Sequence, residues 1–138
     1  MGLYLCLFDE IGDEIDGVEV GSYSDFNFLR DAVTAVIERG QSGSVCPTLQ
    51  HHSDSDGSWS PEDAKALLKE LELIEQAFSN NPPAEFNSAW KTEVARMNGI
   101  IPSNLLECFF DVDGEPLINR IRKLALSCIE NNSPILFQ

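Results

Sequence analysis

Gly2-Leu3-Tyr4-Leu5-Cys6-Leu7-Phe8-Asp9 is the stretch that decides the fold. Side chains alternate across a strand, so Leu3, Leu5 and Leu7 share one face and Tyr4, Cys6 and Phe8 the other. Both faces are apolar, which predicts an interior strand over residues 2–9, covered on both sides. Glu10 to Gly17 is an acidic turn, and Val18-Glu19-Val20 reads as the hairpin partner. At the other end of the chain, Pro134-Ile135-Leu136-Phe137 reads as a second very apolar strand. Both terminal strands are expected inside the sheet.

Helical patterns fill the space between. With Ser24 as N-cap, Phe26, Leu29, Ala32, Val33, Val36 and Ile37 form an apolar stripe that predicts a helix over 25–39, ended by Gly40. Ser60-Pro61-Glu62-Asp63 is the clearest local signal. An N-cap serine, proline at the first helical position and two acids at the positive end of the dipole predict a helix over 61–78. Trp90, Val94 and Met97 suit a helix over 86–98 that Gly99 breaks. Leu117, Ile121, Leu124, Ala125 and Cys128 suit a last helix over 116–130. Strands are also expected over 47–52 and 105–112. The fold class is therefore α/β or α+β, a single domain over residues 1–138 with a mixed β-sheet and three to four packed helices.

The chain has 138 residues, enough to bury a core without a disulfide or metal. Its 23 acids against 9 bases give a formal net charge of -14. Such a surface repels phosphate backbones and anionic membranes, so neither nucleic acid nor membrane is an expected partner. It favours basic partners. Cys6, Cys46, Cys108 and Cys128 are dispersed, with no C-x-x-C pair, and three sit in apolar runs. Reduced, structural thiols in the cytoplasm are expected. The first residues lack the basic start of a signal peptide, and no apolar run approaches the ~20 residues of a membrane span.

Carboxylates fall at strand ends and turns: Asp9, Asp54, Asp56, Asp111 and Asp113. Clustered there they would suit Mg²⁺ or Ca²⁺. Yet position 12 of a calcium loop counted from Asp54 is Lys65, and counted from Asp111 it is Arg122, so neither loop fits. Turn-making is the plainer role of these Asp-Gly motifs. His51 and His52 are the only histidines, and as adjacent strand residues they would face opposite ways. No nucleophile, dinucleotide or Walker motif is present, and no cofactor is expected. Trp59, in a turn, and Phe28, off the apolar stripe, are candidate exposed anchors for a protein interface.

Longer stretches carry a resemblance. They are the opening strand, Asp16-Gly17-Val18-Glu19-Val20-Gly21-Ser22-Tyr23 with Asp25-Phe26, and Ser53-Asp54-Ser55-Asp56-Gly57-Ser58-Trp59-Ser60-Pro61-Glu62. With them go Phe110-Asp111-Val112-Asp113-Gly114-Glu115-Pro116-Leu117 and the terminal Pro134-Ile135-Leu136-Phe137-Gln138. Together these resemble an immunity protein of bacterial polymorphic toxin systems, most like the immunity protein 70 family, over nearly the whole chain. The resemblance implies an intracellular antitoxin, encoded beside a toxin, that binds and neutralises the toxin domain. It brings no catalytic residues.

Charge and resemblance lead to one expectation: a non-enzymatic binder of a basic, nuclease-like toxin domain. Its contact residues are expected among Asp9, Glu10, Asp13, Glu14, Asp16, Asp54, Asp56 and Trp59. The alternatives are a metal-dependent hydrolase using Asp9, Asp111 and Asp113, and an acidic adaptor without a toxin partner. Gene neighbourhood separates the toxin binder from the adaptor, and metal titration separates the hydrolase from both.

Overall fold

The structure, a computed structural model, describes residues 2–53, 56–86 and 88–138. Strand β1 (Gly2–Phe8) turns into β2 (Glu14–Ser22), and helix α1 (Tyr23–Val36) follows at once. A four-residue helix α2 (Pro47–Gln50) and a two-residue strand β3 (Ser58–Trp59) lead into the long helix α3 (Pro61–Ser79). Then come α4 (Ala89–Asn98), a 3₁₀ turn at Leu106–Cys108, α5 (Leu117–Asn131) and β4 (Ile135–Phe137). The sheet order is β2-β1-β4-β3. The strands at the two ends of the chain are thus the two interior ones, as their composition predicts. Every pairing among the described residues is antiparallel, where a mixed sheet was expected.

The expected cover on both faces of β1 is not what forms. Leu3, Leu5 and Leu7 join Val18, Val20, Ile135 and Phe137 on one face, against Phe26 and Leu29 of α1, Leu71 of α3 and Ile121 and Leu124 of α5. Tyr4, Phe8 and Leu136, on the opposite face, are half-buried and stand outside that core. The described residues form two layers, helices on sheet, with one sheet face that no described helix covers.

Helix starts follow the local rules closely. Ser60 and Asp63 form a reciprocal capping box at α3, with Pro61 behind the cap. At α1 the cap is Ser22 rather than Ser24, because Asp25 stands three residues after Ser22 and completes the same box. Buried Asp25 also accepts from the Trp90 indole Nε1 at 2.8 Å, which ties α1 to the start of α4.

Two expected strands are absent. Residues 47–50 form α2 instead, because two buried carboxylates hold its N-terminal end. Glu38 accepts the N–H groups of Val45 and Cys46, and Glu70 those of Thr48 and Leu49. Burial alone would raise the pKa of Glu38. The backbone N–H groups of Cys46, Val45 and Gly43, with the Gln50 amide, outweigh it and hold that carboxyl below its ordinary value. In 105–112, Leu105 and residues 108–111 are buried, but the segment folds as a 3₁₀ turn and a loop, touching strand geometry only in a bridge between Phe110 and Pro116. The same loop blunts the outer edge of β2. There the Glu19 carbonyl accepts Val112 N–H at 3.2 Å, and the Gly17 carbonyl accepts Arg120 Nη2 at 2.7 Å.

Candidate functional site

The acidic turn is a rigid hairpin tip, and Asp9 makes it so. Its carboxylate Oδ1 accepts the N–H groups of Ile11 at 3.0 Å and Asp13 at 2.9 Å. Its own N–H donates to the Asp13 carbonyl, and Gly12, at a φ of 89°, returns a hydrogen bond to the Asp9 carbonyl. A left-handed φ of this kind suits glycine. The turn presents Ile11 to solvent, 83% exposed, between Glu10 and Asp13. An open recess of about 310 Å³ lies under the tip, between Asp9, Glu10, Ile11 and Asn131.

The acids of this segment divide by what already holds them. Glu10 and Asp13 are exposed, and among the described residues neither side chain has a hydrogen bond or ion pair. Glu14 accepts the phenol of Tyr4 at 2.7 Å, a bond that, with burial and the carboxylate charge, pushes the Tyr4 pKa up to about 12. Asp16 is turned to the core side of the sheet, paired with Leu7, and its Oδ1 lies 3.4 Å from Arg120 Nη2. Asp16 is therefore committed within the molecule.

The second acidic loop lies elsewhere. Asp54 falls outside the described residues. Asp56 is exposed just before β3, the edge strand opposite β2. With Ser58 beside Leu136 and Leu136 beside Cys6, Asp56 stands level with the start of β1, while the hairpin tip lies beyond its end. The two loops thus occupy opposite ends and opposite edges of the sheet.

Trp59 is not the exposed anchor that its turn-like surroundings predict. It is 1% exposed, donates Nε1 to the Thr48 carbonyl at 3.1 Å and packs edge-on to Phe137. Phe28 packs at the margin of the core, 5.7 Å from Phe109 between ring centres. His52 stacks on Phe137 at 4.0 Å.

Among the described residues, Asp9, Asp111 and Asp113 do not stand together as a group that could hold a metal ion. Asp9 and Asp111 each fold their carboxylate into a turn. Asp111 accepts from Asp113 N–H at 2.9 Å and Glu115 N–H at 3.0 Å, and lies 3.6 Å from Arg120 Nε. Asp113 is exposed. Among the described residues, no group of three or more His, Cys, Asp or Glu side chains stands together in a way that could hold a metal ion. The four cysteines are free and buried. No helix among the described residues is long and apolar enough to cross a membrane.

Residue-level reading of the turn missed Ile11, whose signal is a single apolar side chain inside a run of acids. It also missed the solvent face of β1, whose signal was the apolar Tyr4-x-Cys6-x-Phe8 alternation read as burial. The family model described as Immunity protein 70 matches residues 3–137. No curated protein and no solved structure matches the chain.

Proposed function

The chain belongs to the immunity protein 70 family, and from that premise we propose that it is a cytoplasmic antitoxin that binds and neutralises a toxin domain without catalysing a reaction. The observation that carries this reading is the hairpin tip, where exposed Ile11 is flanked by the unpaired acids Glu10 and Asp13 on a chain of net charge -14. An apolar anchor ringed by charge is a common form of interface contact. The complementary surface is basic, as on a nuclease-like domain that must hold a phosphate backbone. Occupying that surface both recruits the inhibitor quickly and blocks the substrate path.

The test is co-expression with the toxin domain encoded beside this chain, followed by co-purification and stopped-flow association. The on-rate should fall as salt rises, because the Debye length shrinks from ~30 Å at 0.01 M to ~8 Å at 0.15 M. Glu10→Lys with Asp13→Lys should slow association and flatten that salt dependence. An acidic adaptor without a toxin partner would not co-purify, and an on-rate indifferent to salt and to charge reversal would assign these acids to solubility alone.

A further inference from the structure

Antiparallel sheets with one solvated face ordinarily carry polar side chains on it. Here the face away from the helices carries Tyr4 and Phe8 from β1 and Leu136 from β4, with Cys6 set among them by register. Cys6 is fully buried, and the other three are half-buried. Ile15 is exposed at the irregularity between Leu7 and Phe8, next to the hairpin tip. Acids frame it. Glu14 is paired with Phe8 and Glu19 with Tyr4 in the β1–β2 register, so both lie on the same face.

Gly17 keeps this surface flat. A Cβ there would fall 2.0 Å from the Tyr4 hydroxyl, so only glycine lets the Tyr4 ring lie across β2 and reach Glu14. The outer edge of β2 is closed by Val112 and Arg120, which removes Gly17 and Glu19 carbonyls as templates for an added strand. What remains open is the face.

From this we infer that the uncovered sheet face, centred on Tyr4, Phe8 and Leu136, is the main seat of the toxin domain, with the hairpin tip as its rim. The inference rests on the antitoxin reading above. The occupant is a basic protein surface that lays an apolar side chain over Phe8 and Leu136 and sets Lys or Arg against Glu14 and Glu19. Charge decides against a second copy of this chain, since two surfaces from molecules of net charge -14 repel. The apolar centre holds the complex and governs its off-rate, while the acids at the tip govern its on-rate.

The experiment is calorimetric titration of the adjacent toxin domain into wild type, Phe8→Arg, the milder Phe8→Thr, and Leu126→Arg. Leu126 is 52% exposed on α5 and serves as the control on the helical layer. Near-ultraviolet circular dichroism checks that each variant is folded, and Phe8→Thr, which keeps a strand-forming residue, carries the test if the arginine variant unfolds. The face reading expects Phe8→Arg to weaken binding about 30-fold or more, as at an interface hot spot. Phe8→Thr should weaken it in the same direction, and Leu126→Arg should leave it unchanged. Wild-type binding that both Phe8 variants leave within about threefold would overturn the placement while sparing the antitoxin reading. Absence of wild-type binding would overturn both. A wild-type dimer that Phe8→Arg converts to monomer would overturn the placement in favour of self-association.

Discussion

Asp9 and Asp111 make the same turn. Each donates its N–H to the carbonyl four residues on and accepts, through Oδ1, the N–H groups two and four residues on. Each carbonyl receives the N–H of a glycine three residues on, Gly12 at φ 89° and Gly114 at φ 83°. One five-residue device thus shapes both the hairpin tip and the loop that opens α5. The difference is burial: Asp111 is 2% exposed and Asp9 lies at the surface.

That difference orders three variants. Asp111→Ala leaves two N–H groups and the Arg120 guanidinium without their carboxylate, and should cost about 1.5–3 kcal/mol, the range for hydrogen bonds to a charged group. Asp9→Ala should cost about 0.5–1.5 kcal/mol, because water replaces the lost bonds at an exposed turn. Asp113→Ala removes an exposed side chain and should stay within about 0.5 kcal/mol. Urea unfolding midpoints check the order, and an Asp113→Ala loss larger than that of Asp111→Ala would refute it.

Tyr4 reports on the open sheet face. Its phenol holds its proton up to about 12 chiefly because Glu14 accepts it, helped by burial and by the charges of Glu14 and Asp16. Glu14→Ala removes the acceptor, and Gly17→Ala forces the ring away from it. Ultraviolet titration of tyrosinate should show the Tyr4 midpoint moving down toward 10 in both variants. An unmoved midpoint in Glu14→Ala would show that the hydrogen bond does not control the phenol.

Lys91 is a nearly uncompensated buried cation. It is 2% exposed, and Nζ lies 5.0 Å from the ring centre of Phe109, 5.4 Å from Phe28 and 6.0 Å from Phe110, with no ion pair within the described residues. Burial lowers its pKa from 10.5, against the opposing influence of Asp25 and Cys108. Because the unfolded chain then binds more protons between the lowered value and 10.5, stability from this group rises with pH across that window. Lys91→Met should therefore stabilise the protein most near neutral pH, by about 1 kcal/mol or more, and the gain should shrink toward pH 10.5. The difference between the two unfolding curves isolates Lys91 from the tyrosine and cysteine titrations. A destabilising Lys91→Met at neutral pH would mean that the aromatic box more than offsets the desolvation.

The thiols should be silent in the native state. Burial raises the pKa of Cys6, Cys46, Cys108 and Cys128, and the carboxylates of Glu70 and Glu38 help push Cys46 up to about 12. Thiolate is the reactive form, so alkylation of the folded protein near pH 8 should proceed only as fast as the chain opens. Denaturation without reductant should release four free thiols. Two stable disulfides in the isolated protein would contradict the proposed cytoplasmic location.

Local chemistry was enough for much of the fold. The cap Ser60 with Pro61 and Asp63 placed α3, and Gly99 placed the end of α4, because the residues that settle these positions lie within one turn of them. The apolar ends of the chain were legible as interior strands, and the resemblance over nearly the whole chain was legible as a family. Three decisions needed partners far away in sequence. Residues 47–50 became a helix because Glu38, in the turn after α1, and Glu70, on α3, satisfy its free N–H groups. Residues 105–112 stayed a loop because an apolar run specifies burial, whereas a strand needs a neighbour to pair with, and β2 accepts only Val112. The candidate surface was the third. Charge alone grouped the Asp9 and Asp56 loops, and antiparallel register set them at opposite ends of the sheet. The same apolar alternation in β1 that looked like cover on both sides became a face that no described helix covers, because side-chain pattern records which residues avoid water, and only packing decides whether a helix of the same chain or another molecule supplies the cover.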